Sequence, residues 1–329
     1  MKLYLQKLYE GQILTSKEAN ELLHLLCSTN QNNIQTASIL SAYNMRRLDI
    51  EELIGFQQAM MELCLTFDTQ GIDVIDVCGT GGDGKDTFNI STLSAFVLAG
   101  ANIPVAKHGN YAVSSACGSS NVLEYLGLKF TNNTSILLKQ LEKANICILH
   151  APLFHPAMKN VAEVRKLMQV KTIFNILGPL CNPATPSYQC SGTYNEEVAT
   201  LYHTFLQKKC KSYAVIFDTA VYDEISLTAD ILLYQNGKKN ILSKNTFTHQ
   251  NILAENIKGG KDVASSAQIF MDILSGKGTI EQNEVVIANS AVAIQTYYPK
   301  KSLLECMEIA KESILSESAL RSFNNLLSI

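Results

Sequence analysis

The sequence predicts an α/β protein, with a small helical amino-terminal domain ahead of a larger α/β domain built on a mainly parallel central sheet. Three observations predict it. Roughly the first 66 residues contain no proline and carry two helix-start signals. Beyond residue 70, short β-branched runs alternate with long amphipathic segments, the rhythm of strands covered by helices. A glycine-rich turn follows the first of these runs, at the carboxyl end of a strand where open parallel sheets hold their ligands.

The helical part is read from Thr15-x-x-Glu18 ahead of Leu22, Leu23, Leu25 and Leu26, and from Asp49-x-x-Glu52 ahead of Leu53, Phe56, Met60 and Leu63. In each, a side-chain oxygen serves free N–H groups while the acid three residues on reaches back. This domain is expected over residues 1–68. The loop at 178–186 holds three of the seven prolines, so a later segment around 178–192 is expected to join it. Residues 69–329 make the second domain, with strands expected at 74–78, 103–106, 146–149, 172–176 and 213–217.

With 47% hydrophobic and 17% charged residues among 329, the chain has material for a large core. A formal net charge of -3 gives no broad basic field, so neither nucleic acid nor an anionic membrane is an expected partner. The nine cysteines form no CxxC pair, the amino terminus has no basic-then-apolar pattern, and apolar runs break well short of spanning length. Reducing cytoplasm is the expected compartment.

The turn reads Gly79-Thr80-Gly81-Gly82-Asp83-Gly84-Lys85-Asp86-Thr87-Phe88-Asn89-Ile90-Ser91-Thr92. Glycines let backbone N–H groups converge, and a helix opening near Ser91 and Thr92 offers its positive end to a phosphate. Two other motifs compete for the stretch. Gly79, Gly81 and Gly84 spell GxGxxG, but no acid occurs between Asp86 and Glu124 to hold a nicotinamide ribose. Gly79 to Lys85 spells GxxxxGK, but Asp86 stands where a magnesium-binding Ser or Thr is needed.

A second stretch runs Lys107-His108-Gly109-Asn110-Tyr111-Ala112-Val113-Ser114-Ser115 and continues to Gly118-Ser119-Ser120. A lysine at a strand end followed by glycines and hydroxyls supplies a point charge and neutral donors for phosphate oxygens. The third feature is Asp223-Glu224. Such a pair alone is most often surface charge, but beyond a strand it also suits magnesium, which uses few carboxylates and fills its shell with water and phosphate oxygens.

Taken in order with His155-Pro156-Ala157-Met158-Lys159 and Asn175-Ile176-Leu177-Gly178-Pro179-Leu180, these motifs closely resemble the anthranilate phosphoribosyltransferase family over nearly the whole chain. The resemblance implies the two-domain architecture shared by nucleoside phosphorylases and phosphoribosyltransferases, a homodimer through the helical domain, and the second step of tryptophan biosynthesis from chorismate. In that step 5-phosphoribosyl 1-diphosphate and anthranilate give N-(5-phosphoribosyl)anthranilate and diphosphate. It further implies that Gly79, Gly82, Asp83, Thr87, Asn89, Ile90, Ser91 and Thr92 contact the phosphoribosyl diphosphate. Lys107, His108, Gly109, Asn110, Tyr111, Ala112, Val113, Ser114, Ser115 and Ser119 would complete that pocket.

Anthranilate would be received by Gly79, Asn110 and Arg165, although Arg165 shares its expected helix with Lys159 and Lys166 and also reads as plain solvated charge. Ser91, Asp223 and Glu224 would hold Mg2+, two ions per active site, with Lys107 and His108 the residues closest to catalysis. Three positions depart from the family pattern. Tyr111 stands where arginine is common, Glu163 where proline is common, and Phe217-Asp218 where His-Gly is common. Pyrimidine nucleoside phosphorylases share the architecture, but their signatures are not evident; a nucleic-acid-binding paralogue would need a basic face that this chain lacks.

Overall fold

The computed structural model describes residues 1–111 and 117–329, and the chain divides into two compact units. One comprises Met1–Phe67 and Ala151–Pro183, the other Asp68–His150 and Ala184–Ile329.

The first unit is all helical, with Lys2–Tyr9, Ser16–Leu26, Asn33–Asn44 and Ile50–Glu62 from the first stretch and Ala151–Phe154, Lys159–Met168 and Ile173–Leu177 from the second. Both expected capping boxes form. The Thr15 hydroxyl accepts from the Glu18 N–H at 3.3 Å while the Glu18 carboxylate accepts from the Thr15 N–H at 3.0 Å. Glu52 closes the second box and is fully buried, where it also accepts from the Leu14 N–H at 2.9 Å, the Tyr43 hydroxyl at 3.1 Å and the Arg46 guanidinium. A residue chosen to start one helix therefore also ties down its neighbours. Leu22, Leu23 and Leu26 face Leu53, Phe56 and Met60 in the interior, whereas Leu25 lies off that stripe and is partly exposed.

Residues 172–176, expected as a strand, are instead a short helix of this unit, Ile173–Leu177. The Thr172 N–H donates to the Asn175 side chain at 3.0 Å, an N-terminal cap that outweighs the β-propensity of Thr172, Ile173 and Phe174.

The second unit carries a seven-stranded sheet of β1 (Ile75–Gly79), β2 (Val105–Gly109), β3 (Ile146–His150), β4 (Tyr188–Thr193), β5 (Ser212–Asp218), β6 (Ile231–Gln235) and β7 (Lys238–Leu242). Their order is β3-β2-β1-β4-β5-β6-β7, parallel from β3 to β5 and antiparallel thereafter. The mainly parallel sheet expected from the alternating pattern is present. Asn236 and Gly237, both with positive φ (47° and 83°), make the tight turn from β6 to β7.

Helix Ile90–Gly100 starts at the end of the glycine turn and is buried from Thr92 to Ala99, so its start is fixed by core packing rather than by a side-chain cap. Phe96 meets Phe270 and Phe323 edge-on at 5.9 and 5.3 Å, anchoring this helix to the helices Val263–Leu274 and Ser318–Leu327. Helix Ile280–Tyr297 is buried from Val285 to Ile294. Among the described residues, no helix is long and apolar enough to cross a membrane.

Candidate active site

The carboxyl end of β1 with the turn after it, the start of helix Ile90–Gly100, residues 117–119 and the loop after β5 enclose a cleft of about 170 Å³ in the second unit. Gly81, Gly82 and Gly84 all have positive φ, as the turn after β1 requires, and the chain re-enters ordinary geometry only after Asp86. Gly79, Gly82, Asp83, Thr87, Asn89, Ser91 and Thr92 line this cleft. Ser119, Asp223 and Glu224 line it too, so three separate motifs converge. The Thr92 hydroxyl is buried there and has no partner among the described residues.

Asp223 sits in a notch made by two paired glycines, Gly79 on β1 and Gly192 on β4. A Cβ at Gly79 would overlap the Asp223 carboxylate, and one at Gly192 would overlap the Asp223 carbonyl oxygen. The acid pair in turn engages the cradle. Asp223 Oδ2 accepts from the Gly81 N–H at 2.6 Å, and Glu224 Oε1 accepts from the Ser91 N–H at 2.8 Å, with the Thr87 hydroxyl at 3.5 Å from Oε2. Burial is the main force raising both carboxyls above the ordinary carboxylate range; the charge of Asp83 adds to it at Asp223, and that of Asp223 adds to it at Glu224. Negative charge is crowded here in a way a bound cation would relieve.

Lys107 does not reach the cleft wall. Only 3% exposed, its ammonium donates to the Val77 carbonyl at 2.7 Å and to Ser91 Oγ at 3.4 Å, so it braces β1 and the helix start from beneath. Ile90 is also fully buried. The backbone N–H of His108 donates to the buried Asp76 at 3.2 Å, and the Asn110 carbonyl accepts from the Ser119 hydroxyl at 3.2 Å, joining Gly109 and Asn110 to the helix Ser119–Tyr125. Tyr111 places its ring edge-on to His150 at 4.8 Å and donates its hydroxyl to Glu124. Ala112, Val113, Ser114 and Ser115 lie outside the described residues.

Arg165 belongs to the helical unit, on helix Lys159–Met168. It is not a solvated surface charge. Its guanidinium is half-buried over the Phe174 ring at 5.2 Å and has no carboxylate partner among the described residues; burial lowers its pKa. Glu163, earlier on the same helix, meets Asn33 at 3.5 Å.

Several residues that build the site escaped sequence reasoning. Gly192 was hidden because β4 was not expected. Asp76, buried within β1, gave no signal beyond its place in an apolar run. Asp218 at the end of β5 was noted only as a departure, yet it accepts from Ala220 and Ser226 in the loop that carries the acid pair.

Residues 2–64 match the glycosyl transferase family helical bundle domain and residues 71–320 the glycosyl transferase family a/b domain. An anthranilate phosphoribosyltransferase of Cytophaga hutchinsonii is 48% identical over 323 residues, covering 98% of each chain. The crystal structure of the anthranilate phosphoribosyltransferase from Thermus thermophilus superposes with a TM-score of 0.91 at 29% identity, again covering 98% of each chain. That of Saccharomyces cerevisiae, in complex with PRPP and Mg, gives 0.90 at 26% identity over 99% of this chain and 96% of that one. Matched by both family models and, over nearly its whole length, by such relatives, the chain belongs to the anthranilate phosphoribosyltransferase family.

Proposed function

We propose that this protein transfers the 5-phosphoribosyl group of 5-phosphoribosyl 1-diphosphate to anthranilate, giving N-(5-phosphoribosyl)anthranilate and diphosphate, the second step of tryptophan biosynthesis from chorismate. The observation that carries it is the meeting of the glycine turn, the start of helix Ile90–Gly100 and the acid pair Asp223-Glu224 in one cleft. N–H groups and a helix start suit a diphosphate, and carboxylates beside them make sense only with a cation between the charges.

The donor set fits magnesium. Ser91, Asp223 and Glu224 offer hard oxygens, and magnesium binds through few carboxylates with water and phosphate oxygens filling the rest of its shell. We assign these three residues to the metal, with two ions per site. Bound magnesium supplies positive charge to the departing diphosphate.

The protein's own groups do the rest. N–H groups of the cradle and the free hydroxyl of Thr92 meet charge that develops on diphosphate oxygens. Gly79, Gly82, Asp83, Thr87, Asn89 and Ser119 shape that pocket, and His108 to Ser115 are assigned to the same substrate. Lys107 acts from below, holding Ser91 in place and contributing a positive field. The aromatic amine of anthranilate is neutral near pH 7, so His108 needs only to orient it rather than act as a strong base. Arg165, stacked and without a carboxylate, is assigned to the anthranilate carboxylate together with Asn110 and Gly79.

We further propose a homodimer through the helical unit. A groove of about 900 Å³ there is lined by apolar side chains including Ile34, Met45 and Leu167, each more than two-thirds exposed. Nine free cysteines favour the cytoplasm as its compartment. The test of the activity is loss of anthranilate fluorescence on mixing with phosphoribosyl diphosphate. Consumption that requires both phosphoribosyl diphosphate and magnesium is expected; no consumption with both present, or turnover of thymidine or uridine with phosphate instead, would overturn the reading.

A further inference from the structure

Asp223 and Glu224 sit on a loop rather than on a regular element, yet their carboxylates meet backbone donors at 2.6 and 2.8 Å. Something must hold that loop. On one side Asp218, fully buried at the end of β5, accepts from the Ala220 N–H at 2.8 Å through Oδ1, and from the Ser226 N–H and hydroxyl at 2.9 and 2.6 Å through Oδ2. On the other side Asn289, buried in the middle of helix Ile280–Tyr297, accepts from the Ile225 N–H at 2.9 Å and donates to the Ile225 and Val285 carbonyls at 2.8 Å each.

Residues 220, 225 and 226 are thus pinned, and the acid pair lies between the pins. The backbone shows the same constraint. Val221 is held at φ 67°, a left-handed conformation that a β-branched side chain adopts only when its surroundings impose it. A charged residue buried at a strand end and an amide in the middle of an apolar helix are both costly choices for stability alone, since apolar residues of like shape would pack there.

We propose that Asp218 and Asn289 are positioning residues for the metal ligands, a role that rests on the assignment of Asp223 and Glu224 to magnesium. They touch neither substrate nor metal. Their hydrogen bonds fix the loop so that both carboxylates stay aimed into the cleft.

The test is manganese(II) binding in the presence of inorganic diphosphate, followed by calorimetry on the full chain, with melting temperature recorded in parallel. Asn289→Ala and Asp218→Asn should each weaken manganese binding about 10-fold, the ordinary effect of removing a group that orients a metal ligand. The magnesium concentration for half-maximal turnover should rise in step, while the KM for anthranilate stays within about twofold. A role confined to stability would lower the melting temperature and leave manganese affinity unchanged, and that result would overturn the proposal.

Asp223→Asn with Glu224→Gln serves as reference. If that double variant binds manganese like the parent protein, the metal assignment itself fails. If it alone loses binding, the assignment stands and the positioning role falls. Should Asn289→Ala not yield folded protein, Asp218→Asn decides alone, because it preserves side-chain shape and one acceptor oxygen.

Discussion

Gly192→Ala is the sharpest perturbation of the site, because it touches no substrate and changes one hydrogen to a methyl group. That methyl would overlap the Asp223 carbonyl oxygen and lie 2.6 Å from its carbonyl carbon and 3.4 Å from the Glu224 nitrogen. Carbon atoms ordinarily rest about 3.5–4.0 Å apart, so the carbon contact alone requires a shift of about 1 Å, and the deeper overlap with the oxygen requires more. The obstacle is backbone on both sides, and the loop is tied at Ala220, Ile225 and Ser226, so the strain falls on the acid pair.

Overpacking of this kind costs about 1–3 kcal/mol of stability. A 1 Å displacement of groups beside the reaction typically costs about 100-fold in rate, so activity should suffer far more than folding. The assay is anthranilate consumption at saturating substrates across a magnesium series, beside a thermal melt. Gly79→Ala is the comparison, since its methyl meets mainly the Asp223 carboxylate, a side chain that can swing aside, with its Cγ at 3.1 Å. Turnover within about threefold of the parent in Gly192→Ala, with an unchanged melt, would show that Asp223 needs no fixed seat, contrary to the cost expected of such a shift.

Three further outcomes are expected. Burial raises the carboxyls of Asp223 and Glu224, so their contribution to stability is complete below the ordinary carboxylate pKa of about 4 and is lost as pH rises toward neutrality through the raised values. Without divalent ions, Asp223→Asn with Glu224→Gln should therefore gain stability relative to the parent as pH rises; urea melts that stay parallel from pH 5 to pH 8, roughly spanning that window, would contradict the assignment. Lys107→Met strands the Val77 carbonyl and removes a cation that favours ionised Glu224, so the protein should lose about 1–3 kcal/mol and its magnesium-dependent activity should move to higher pH; an acid shift would show the sign to be wrong. Arg165→Ala should raise the KM for anthranilate about tenfold or more, as loss of a charged hydrogen bond does, and leave that for phosphoribosyl diphosphate nearly unchanged; the reverse order would mean a different partner.

What was legible in the sequence had a local cause. Thr15, Glu18, Asp49 and Glu52 announce helices because caps are made within four residues, and β1, β2, β3 and β5 stand out as β-branched runs. The cradle was legible because only glycine takes its turn cheaply. β4 was not, since its buried positions include Gln189, Ser191 and Thr193. Their polar atoms are satisfied by one another and by β5, with Gln189 to Ser191 at 2.8 Å and Thr193 to the Ile216 carbonyl at 3.0 Å, so no apolar alternation marks the strand. For the same reason Gly192 went unnoticed. Lys107 was visible as a cation at a strand end, but its burial depends on the Val77 carbonyl across the sheet, which no local pattern reports. Arg165 owed its expected role to resemblance alone, because its neighbours Lys159 and Lys166 read as solvated charge and the Phe174 ring beneath it leaves no local signal.

The hydrogen bonds from Gly81 and Ser91 to the acid pair mean that two of the cradle's N–H groups are already engaged by the protein's own carboxyls. A diphosphate arriving alone must evict two carboxylates, and a metal arriving alone must pull them from good donors. Arriving together, each ligand frees what the other needs. Such cooperation is reciprocal by thermodynamic necessity: whatever factor the divalent ion adds to the grip on the sugar diphosphate, the sugar diphosphate returns to the grip on the ion. Neither partner by itself should saturate this enzyme at modest concentration.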